Sequence, residues 1–314
     1  MISGSREQII ETATNLYNND LTPLPCHYNE KRPVGNSWNM TSYLNVDDVI
    51  NAFSNKTYNI GLLLDHETVA IDLDAINISN KIGIGVLAHC GIGVDRNVIG
   101  RTKKPCGKII LKSNKAIDSV RHRVIDENGK TIIELLGYKH NVIMPPSVVD
   151  NTDQFRAWNE FYSEMHYHDE AEIKTAMNYV ALWSMLSDNY PEESTRDEAV
   201  RCLVTLFKAS DHSFIDANFV NFFTGSLAET NNDQERVRKN WTKFYEKTAK
   251  TKRPLKVFEK NFPNLPEFVQ KFMIETLGLN AKKSLKISTL QDVMGMTFEK
   301  PKFLINAMFP IGLG

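Results

Sequence analysis

No two cysteines of this chain stand in a CxxC arrangement. The four present, Cys26, Cys90, Cys106 and Cys202, are scattered singly, which excludes a zinc ribbon and a disulfide framework and fits a reducing compartment. Long hydrophobic runs are missing too. The longest apolar stretches fall well short of the roughly 20 residues that cross a bilayer, and the N-terminus lacks the charged-then-apolar pattern of a secretory leader. The chain therefore reads as cytoplasmic, with no membrane partner. Nor is there an excess of charge: 37 Lys and Arg stand against 38 Asp and Glu. A uniformly basic nucleic-acid binder is excluded, and any basic surface has to be local. There is no internal repeat and no low-complexity segment.

What is present suffices for more than one domain: 314 residues, 42% of them hydrophobic and 24% charged. The texture changes near Trp158, from short β-type runs punctuated by Pro and Gly to long helical stripes. In the first part, Ser5 and Gln8 make a capping box ahead of a stripe through Ile9, Ile10, Ala13, Leu16 and Tyr17. LTPLPC over 21–26 reads as a strand, and 46–53 as a short amphipathic helix. Strands are predicted at 61–65, 68–74, 107–112, 131–137 and 141–147, with a partly helical segment between Asp74 and Gly107. This alternation predicts an α/β or α+β domain. In the second part, stripes begin at Glu170 (Ile173, Met177, Val180, Ala181), at Thr195 (Val200, Leu203, Val204) and at Asp233, the last running to Ala249. These predict an all-α module. Trp183, Trp241, Phe219, Phe222 and Phe223 are expected in its core, and His166 and His168 at the surface.

The strongest chemical signal is Val69-Ala70-Ile71-Asp72-Leu73-Asp74. Alternate residues of a strand share a face, so Asp72 and Asp74 project together while Ile71 and Leu73 point into a core. Paired carboxylates repel and are costly beside apolar surface, and a divalent cation relieves both penalties. A strand end whose aspartates face water is the other reading. Glu134 is a third acid isolated in an apolar strand, Thr131-Ile132-Ile133-Glu134-Leu135-Leu136. Three such carboxylates suit two metal ions that activate a hydroxyl and neutralise a leaving pyrophosphate. Between the acidic strands come Arg101, Lys103, Lys104 and Lys108, cations suited to a triphosphate; a solvated basic turn is the alternative.

The order and spacing of these elements resemble the bifunctional primase-polymerase domain of the archaeo-eukaryotic primase superfamily, found in phages, plasmids and integrated elements. The resemblance rests on Leu24-Pro25, Lys31-Arg32-Pro33 and Trp38 at the start, and on Asn59-Ile60-Gly61-Leu62 with Asp72-Leu73-Asp74 as the first catalytic motif. Gly100-Arg101 with Pro105 and Lys108 resembles the second motif, Ile133-Glu134 the third. Val142 to Ser147 and then Phe155 and Trp158 resemble the closing segment. Lys108 stands where many relatives carry histidine, and Val148 and Val149 where a histidine often follows. The resemblance implies an α+β fold: a primase-type catalytic core of mixed sheets flanked by helices over 1–165, then an all-α helical module over 166–280.

It implies a DNA primase and DNA polymerase, a template-directed nucleotidyltransferase replicating a mobile element in a bacterial or archaeal host. Two Mg²⁺ or Mn²⁺ ions would sit on Asp72, Asp74 and Glu134, and the four cations would bind nucleoside triphosphate opposite a single-stranded DNA template. A catalytically inactive DNA-binding initiator module is the alternative. A two-metal nuclease is a weaker one, because Leu136 occupies the place two residues after Glu134 where a nuclease lysine is usual. Ser194 to Ala199 and Asp233 to Val237 resemble the helical module of primase-helicase fusions. Residues 281–314 read as a lysine-bearing linker and the start of a helicase domain: Phe298 to Gly314 resembles the strand leading into a RecA-like helicase, so a C-terminal helicase partner is expected.

Overall fold

The computed structural model describes residues 5–54, 58–94, 97–102, 104–117, 122–157, 165–250 and 265–279. Lys103, Trp158 and the expected linker and helicase lead-in over 281–314 lie outside the described residues.

The chain opens with α1 (Arg6–Asn18), whose Ser5–Gln8 capping box is complete and whose stripe of Ile9, Ala13 and Leu16 is buried. It packs with α2 (Val46–Ser54) on a three-stranded antiparallel sheet of β1 (Thr22–His27), β2 (Tyr58–Leu63) and β8 (Asn141–Met144), ordered β1-β2-β8. Gly61 is required at the centre of β2, since a Cβ there would overlap the Asn141 side chain.

The second sheet has eight strands. They are β3 (Thr68–Leu73), β4 (Val98–Arg101), β5 (Lys104–Ser113), β6 (His122–Ile125), β7 (Thr131–Leu136), β9 (Val148–Val149), β10 (Asp153–Ala157) and β11 (Tyr167–His168). The order is β6-β7-β3-β5-β4-β10-β9, with β11 joined in parallel to β5. The protein is thus α+β, with two sheets that are antiparallel apart from β11. Helix α3 (Lys81–His89), capped by Asn80, is the helical part of the stretch between Asp74 and Gly107, which β4 and the start of β5 complete. The β4–β5 hairpin lengthens the expected strand at 107–112 back to Lys104 and adds a partner that alternation alone did not reveal.

The large sheet separates two apolar clusters, as the period of two requires. Val69, Ile71 and Leu73 of β3 join Ile109, Leu111, Ile133 and Leu135 on one face, where they pack with the helices. Ala70, Ile110, Leu136 and Ile99 face the other way, toward the small sheet and α1. Four long helices follow: α4 (Glu170–Asp188), α5 (Arg196–Ala209), α6 (Ala217–Thr230) and the last described helix, Glu267–Thr276. Their buried residues, Trp183, Phe219 and Phe223 among them, share one cluster with Trp241 and the first face of the sheet.

Two expectations need correction. Asp233 to Ala249 is not one helix but two, α7 (Gln234–Val237) and α8 (Trp241–Lys247). Asn240 breaks it: its side chain accepts from the Lys243 N–H at 3.1 Å, capping α8 in an extended conformation, the competition with helix that asparagine offers. His168 is not a surface residue. It is 7% exposed, and its Nε2 accepts from the Gly93 N–H at 3.2 Å, while His166 remains exposed. The helical motif residues also have a structural role. Buried Arg236 pairs with Asp233 at 3.2 Å and with Asp197 at 3.3 Å, tying α5 to α7.

Candidate active site

The site is built by strand register. Asp72 in β3 lies directly opposite Glu134 in β7 on one side and Lys108 in β5 on the other. Glu134 is in turn opposite Arg123 in β6, and Lys108 is opposite Ile99 in β4. Residues directly opposed in antiparallel strands project from the same face. Arg123, Glu134, Asp72 and Lys108 therefore form one row across four strands, cation, acid, acid, cation. The row lies on the face that also carries Ala70 and Ile110, toward the small sheet. Ile71 and Leu73 turn to the other face, as the period-two argument requires.

Two carboxylates opposed across a ladder destabilise each other, and the flanking cations answer that. Lys108 Nζ donates to Asp72 Oδ2, with both side chains 18% exposed. Arg123 stands 3.8 Å from Glu134 Oε1. Asp74, one residue beyond β3, is anchored by its N–H to the Ile132 carbonyl at 2.9 Å and pairs with Lys104 Nζ at 3.1 Å. The same ammonium donates to the Leu73 carbonyl at 3.3 Å.

The hairpin carrying the cations is irregular by design of its sequence. The β4–β5 register shifts between Ile99 and Arg101. Gly100 permits this, because a Cβ there would overlap the Pro105 carbonyl oxygen. The bulge delivers Lys104 and Lys108 to the same pair of aspartates. Arg101 goes elsewhere: its Nη1 pairs with Asp153 Oδ2 at 2.5 Å, and Asp153 is 4% exposed. This half-buried pair joins β4 to β10 and occupies a guanidinium that the sequence offers as a triphosphate ligand.

The structure thus brings Asp72, Glu134 and Lys108 into one row, sets Asp74 with Lys104 beside it, and gives Arg101 a buried partner. Three further residues belong to the neighbourhood. Arg123 carries no motif, and only its place opposite Glu134 marks it. Asp153 is likewise unmarked. Lys31 sits in the Lys-Arg-Pro element, and nothing local to that element shows that it comes within electrostatic reach of Arg101, Lys108, Asp72 and Asp153.

As a place for divalent metal, the donors fit in kind. They are carboxylate oxygens on a polar face, and ammonium groups now occupy the positions of cations. In arrangement they are parted between two lysines. Among the described residues, no group of three or more His, Cys, Asp or Glu side chains is close enough to hold a metal ion. Burial raises the thiol pKa of Cys26 to about 12 and of Cys106 to about 11, which keeps both thiols protonated at neutral pH. No helix among the described residues is long and apolar enough to cross a membrane.

Residues 13–165 match the family model described as bifunctional DNA primase/polymerase, N-terminal. The match spans β1 to β10, both lysine–aspartate pairs and the whole charged row. No curated protein matches the chain.

Proposed function

We propose that this chain is a DNA primase-polymerase, a template-directed nucleotidyltransferase that works with two divalent cations, Mg²⁺ or Mn²⁺. The observation that carries the reading is the registered row Glu134–Asp72–Lys108, with the Asp74–Lys104 pair beside it, inside the stretch similar to the primase/polymerase family. Asp72, Asp74 and Glu134 are the residues that would hold the ions. When bound, the ions supply activation of the attacking 3′-hydroxyl and neutralisation of the leaving pyrophosphate.

The protein's own part is exchange and positioning. Loading requires Asp72 to give up Lys108 and Asp74 to give up Lys104. The two released ammonium groups are then the natural partners of the triphosphate carried in with the metal. Arg101, held by Asp153, fixes the hairpin against β10 instead of reaching for phosphate. In-line attack then depends on alignment and charge neutralisation, with no covalent intermediate. Single-stranded DNA template is the partner, contacted through its phosphates. The helical module over 166–280 serves template or the initiating nucleotide, and a C-terminal helicase domain and a mobile-element setting complete the proposal.

A second reading, a DNA-binding initiator module without catalysis, is favoured by one observation: both aspartates are already neutralised by lysine. One experiment separates them. The full chain is incubated with single-stranded template, Mn²⁺ and labelled nucleotides. Template-dependent products support the polymerase; binding without products supports the module; degradation of the template supports a nuclease and overturns both.

A further inference from the structure

The loop over 74–80 carries Asp74 at its start and meets helix α4 at its middle. Asn77 Nδ2 donates to Asp188 Oδ1 at 3.1 Å and to the Ser184 carbonyl at 3.3 Å, and Asn77 Oδ1 accepts from the Ser184 hydroxyl at 2.8 Å. All three contacts are to α4. Ser184 is 1% exposed and stands among the buried residues of that helix, between Trp183 and Met185. A serine hydroxyl inside a helix commonly bonds back to the carbonyl four residues earlier. This one reaches out to the loop instead, and a buried hydroxyl left without its partner is costly. The remainder of the loop is held from other sides. The Asp74 and Ala75 N–H groups both donate to the Ile132 carbonyl at 2.9 Å, and the Ser79 carbonyl accepts from the Cys106 N–H at 3.2 Å. The Ser79 hydroxyl donates to the Ala75 carbonyl at 2.8 Å, and Asn80 Nδ2 donates to the Asn77 carbonyl at 3.0 Å. The loop is thus fixed to β7, to β5 and to α4, and Asn77 supplies the hydrogen bonds to α4.

We propose, resting on the nucleotidyltransferase reading above, that Asn77 is a positioning residue for metal loading. With Ser184 and Asp188 it holds the loop that places the Asp74 carboxylate, and so makes helix α4 part of the catalytic centre. In the empty site Asp74 is paired with Lys104, and loading takes that partner away. From then on the carboxylate is placed by its own backbone, three residues from Asn77. A small divalent cation of the Mg²⁺ kind tolerates little error in the placement of its ligands. Partners that orient a ligand without touching the ion govern its affinity by about 10–100-fold.

The test measures Mn²⁺ binding to the full chain without nucleotide, from loss of the free-ion electron paramagnetic resonance signal, and separately the Mn²⁺ dependence of template-directed incorporation. Asn77→Asp sets two carboxylates where a donor met an acceptor. It is expected to weaken Mn²⁺ binding roughly tenfold and to raise the Mn²⁺ concentration for half-maximal incorporation by a similar factor. Adding Asp188→Asn restores a donor facing an acceptor at the same total charge as wild type, and the double variant is expected to recover most of both. Asn77→Ala, which removes the amide without adding charge, is expected to show a smaller loss in the same direction and serves where Asn77→Asp does not fold, as thermal melts will show. Asn114→Ala is the control. It removes another hydrogen bond to the start of α4, from Asn114 Nδ2 to Asp169 Oδ1 at 3.2 Å, without touching the 74–80 loop, and both readouts are expected to stay at wild type. If the wild type neither binds Mn²⁺ nor incorporates nucleotide, the parent reading fails. If the wild type does both and the folded Asn77 variants keep its Mn²⁺ affinity, the inference about Asn77 alone is overturned. It is equally overturned if the folded double variant recovers nothing, or if Asn114→Ala weakens Mn²⁺ as much as Asn77→Asp does.

Discussion

Replacing Lys108 with methionine isolates the electrostatics of the charged row, because methionine keeps most of the aliphatic stem and removes the charge. In the native protein, Asp72 stands directly between Glu134 and Lys108, and the Asp72 and Lys108 side chains are each only 18% exposed. Without the ammonium, two carboxylates face each other across the ladder, about 5 Å apart. At an effective dielectric near 20, that is about 3 kcal/mol of repulsion, present in the native protein too but offset there by the attraction of Lys108 for Asp72, which the variant loses. Arg123, 3.8 Å from Glu134, and residual solvent reduce it, leaving a net destabilisation of about 2 kcal/mol. For a chain of this size that corresponds to a melting point lower by roughly 3 °C. The assay is thermal unfolding by circular dichroism, in EDTA and then in millimolar Mn²⁺. In EDTA the variant should melt below wild type. In Mn²⁺ it should recover more than wild type gains, because in the variant the ion no longer has to displace an ammonium. Equal melting points in EDTA would show that the row is not electrostatically coupled. A loss of stability that Mn²⁺ leaves untouched would show that the acids do not bind metal, and either result refutes the reasoning.

Three further outcomes are expected. Asp72→Asn and Asp74→Asn should each lower nucleotide incorporation by at least about a hundredfold, as loss of a group acting on transition-state charge does, with far-UV circular dichroism unchanged; wild-type incorporation by either variant would remove it from the site. Gly100→Ala should cost about 1–3 kcal/mol in denaturant unfolding, the penalty of overpacking, since its Cβ would overlap Pro105; an unchanged midpoint would mean that the bulge is not held by that glycine. His168 has a pKa pushed down, first by burial, so the folded state resists protonation while the unfolded chain accepts it. Its contribution to stability is complete above the ordinary pKa of 6.5 and is lost as pH falls through and below that value. Wild type should therefore lose more stability between pH 7.5 and 5.5 than His168→Gln, and parallel losses in both would contradict the assignment.

Much of the fold could be read along the chain because its signals are local. The Ser5–Gln8 capping box and the apolar stripe of α4 came through as expected. So did the alternation in β3 that sends Ile71 to one face and Asp72 to the other. What escaped depends on pairing between distant segments. Asp72, Glu134 and Lys108 are each recognisable alone, but nothing along the chain states that β3 runs between β5 and β7. The same holds for Arg123, meaningful only through its register with Glu134, and for Asp153, which captures Arg101 from 52 residues away. The break at Asn240 was missed because the apolar stripe of Val237, Trp241 and Phe244 outweighed one cap residue. The burial of His168 is not legible locally because its partner, the Gly93 N–H, lies 75 residues away. Also invisible was the continuity of the core, in which residues of α4 pack in one cluster with the β3 residues Val69, Ile71 and Leu73. Periodicity shows that each element has an apolar face but not which two faces meet.

The central claim is that the carboxylates of β3 and β7 exchange lysine for metal when nucleotide arrives. The most direct measurement is anomalous diffraction from crystals of the full chain soaked with Mn²⁺ and a non-hydrolysable nucleoside triphosphate. Manganese is expected bounded by Asp72, Asp74 and Glu134, with Lys104 and Lys108 moved from the aspartates to the phosphates. Manganese bound elsewhere, or nucleotide bound while Lys108 still holds Asp72, would contradict it.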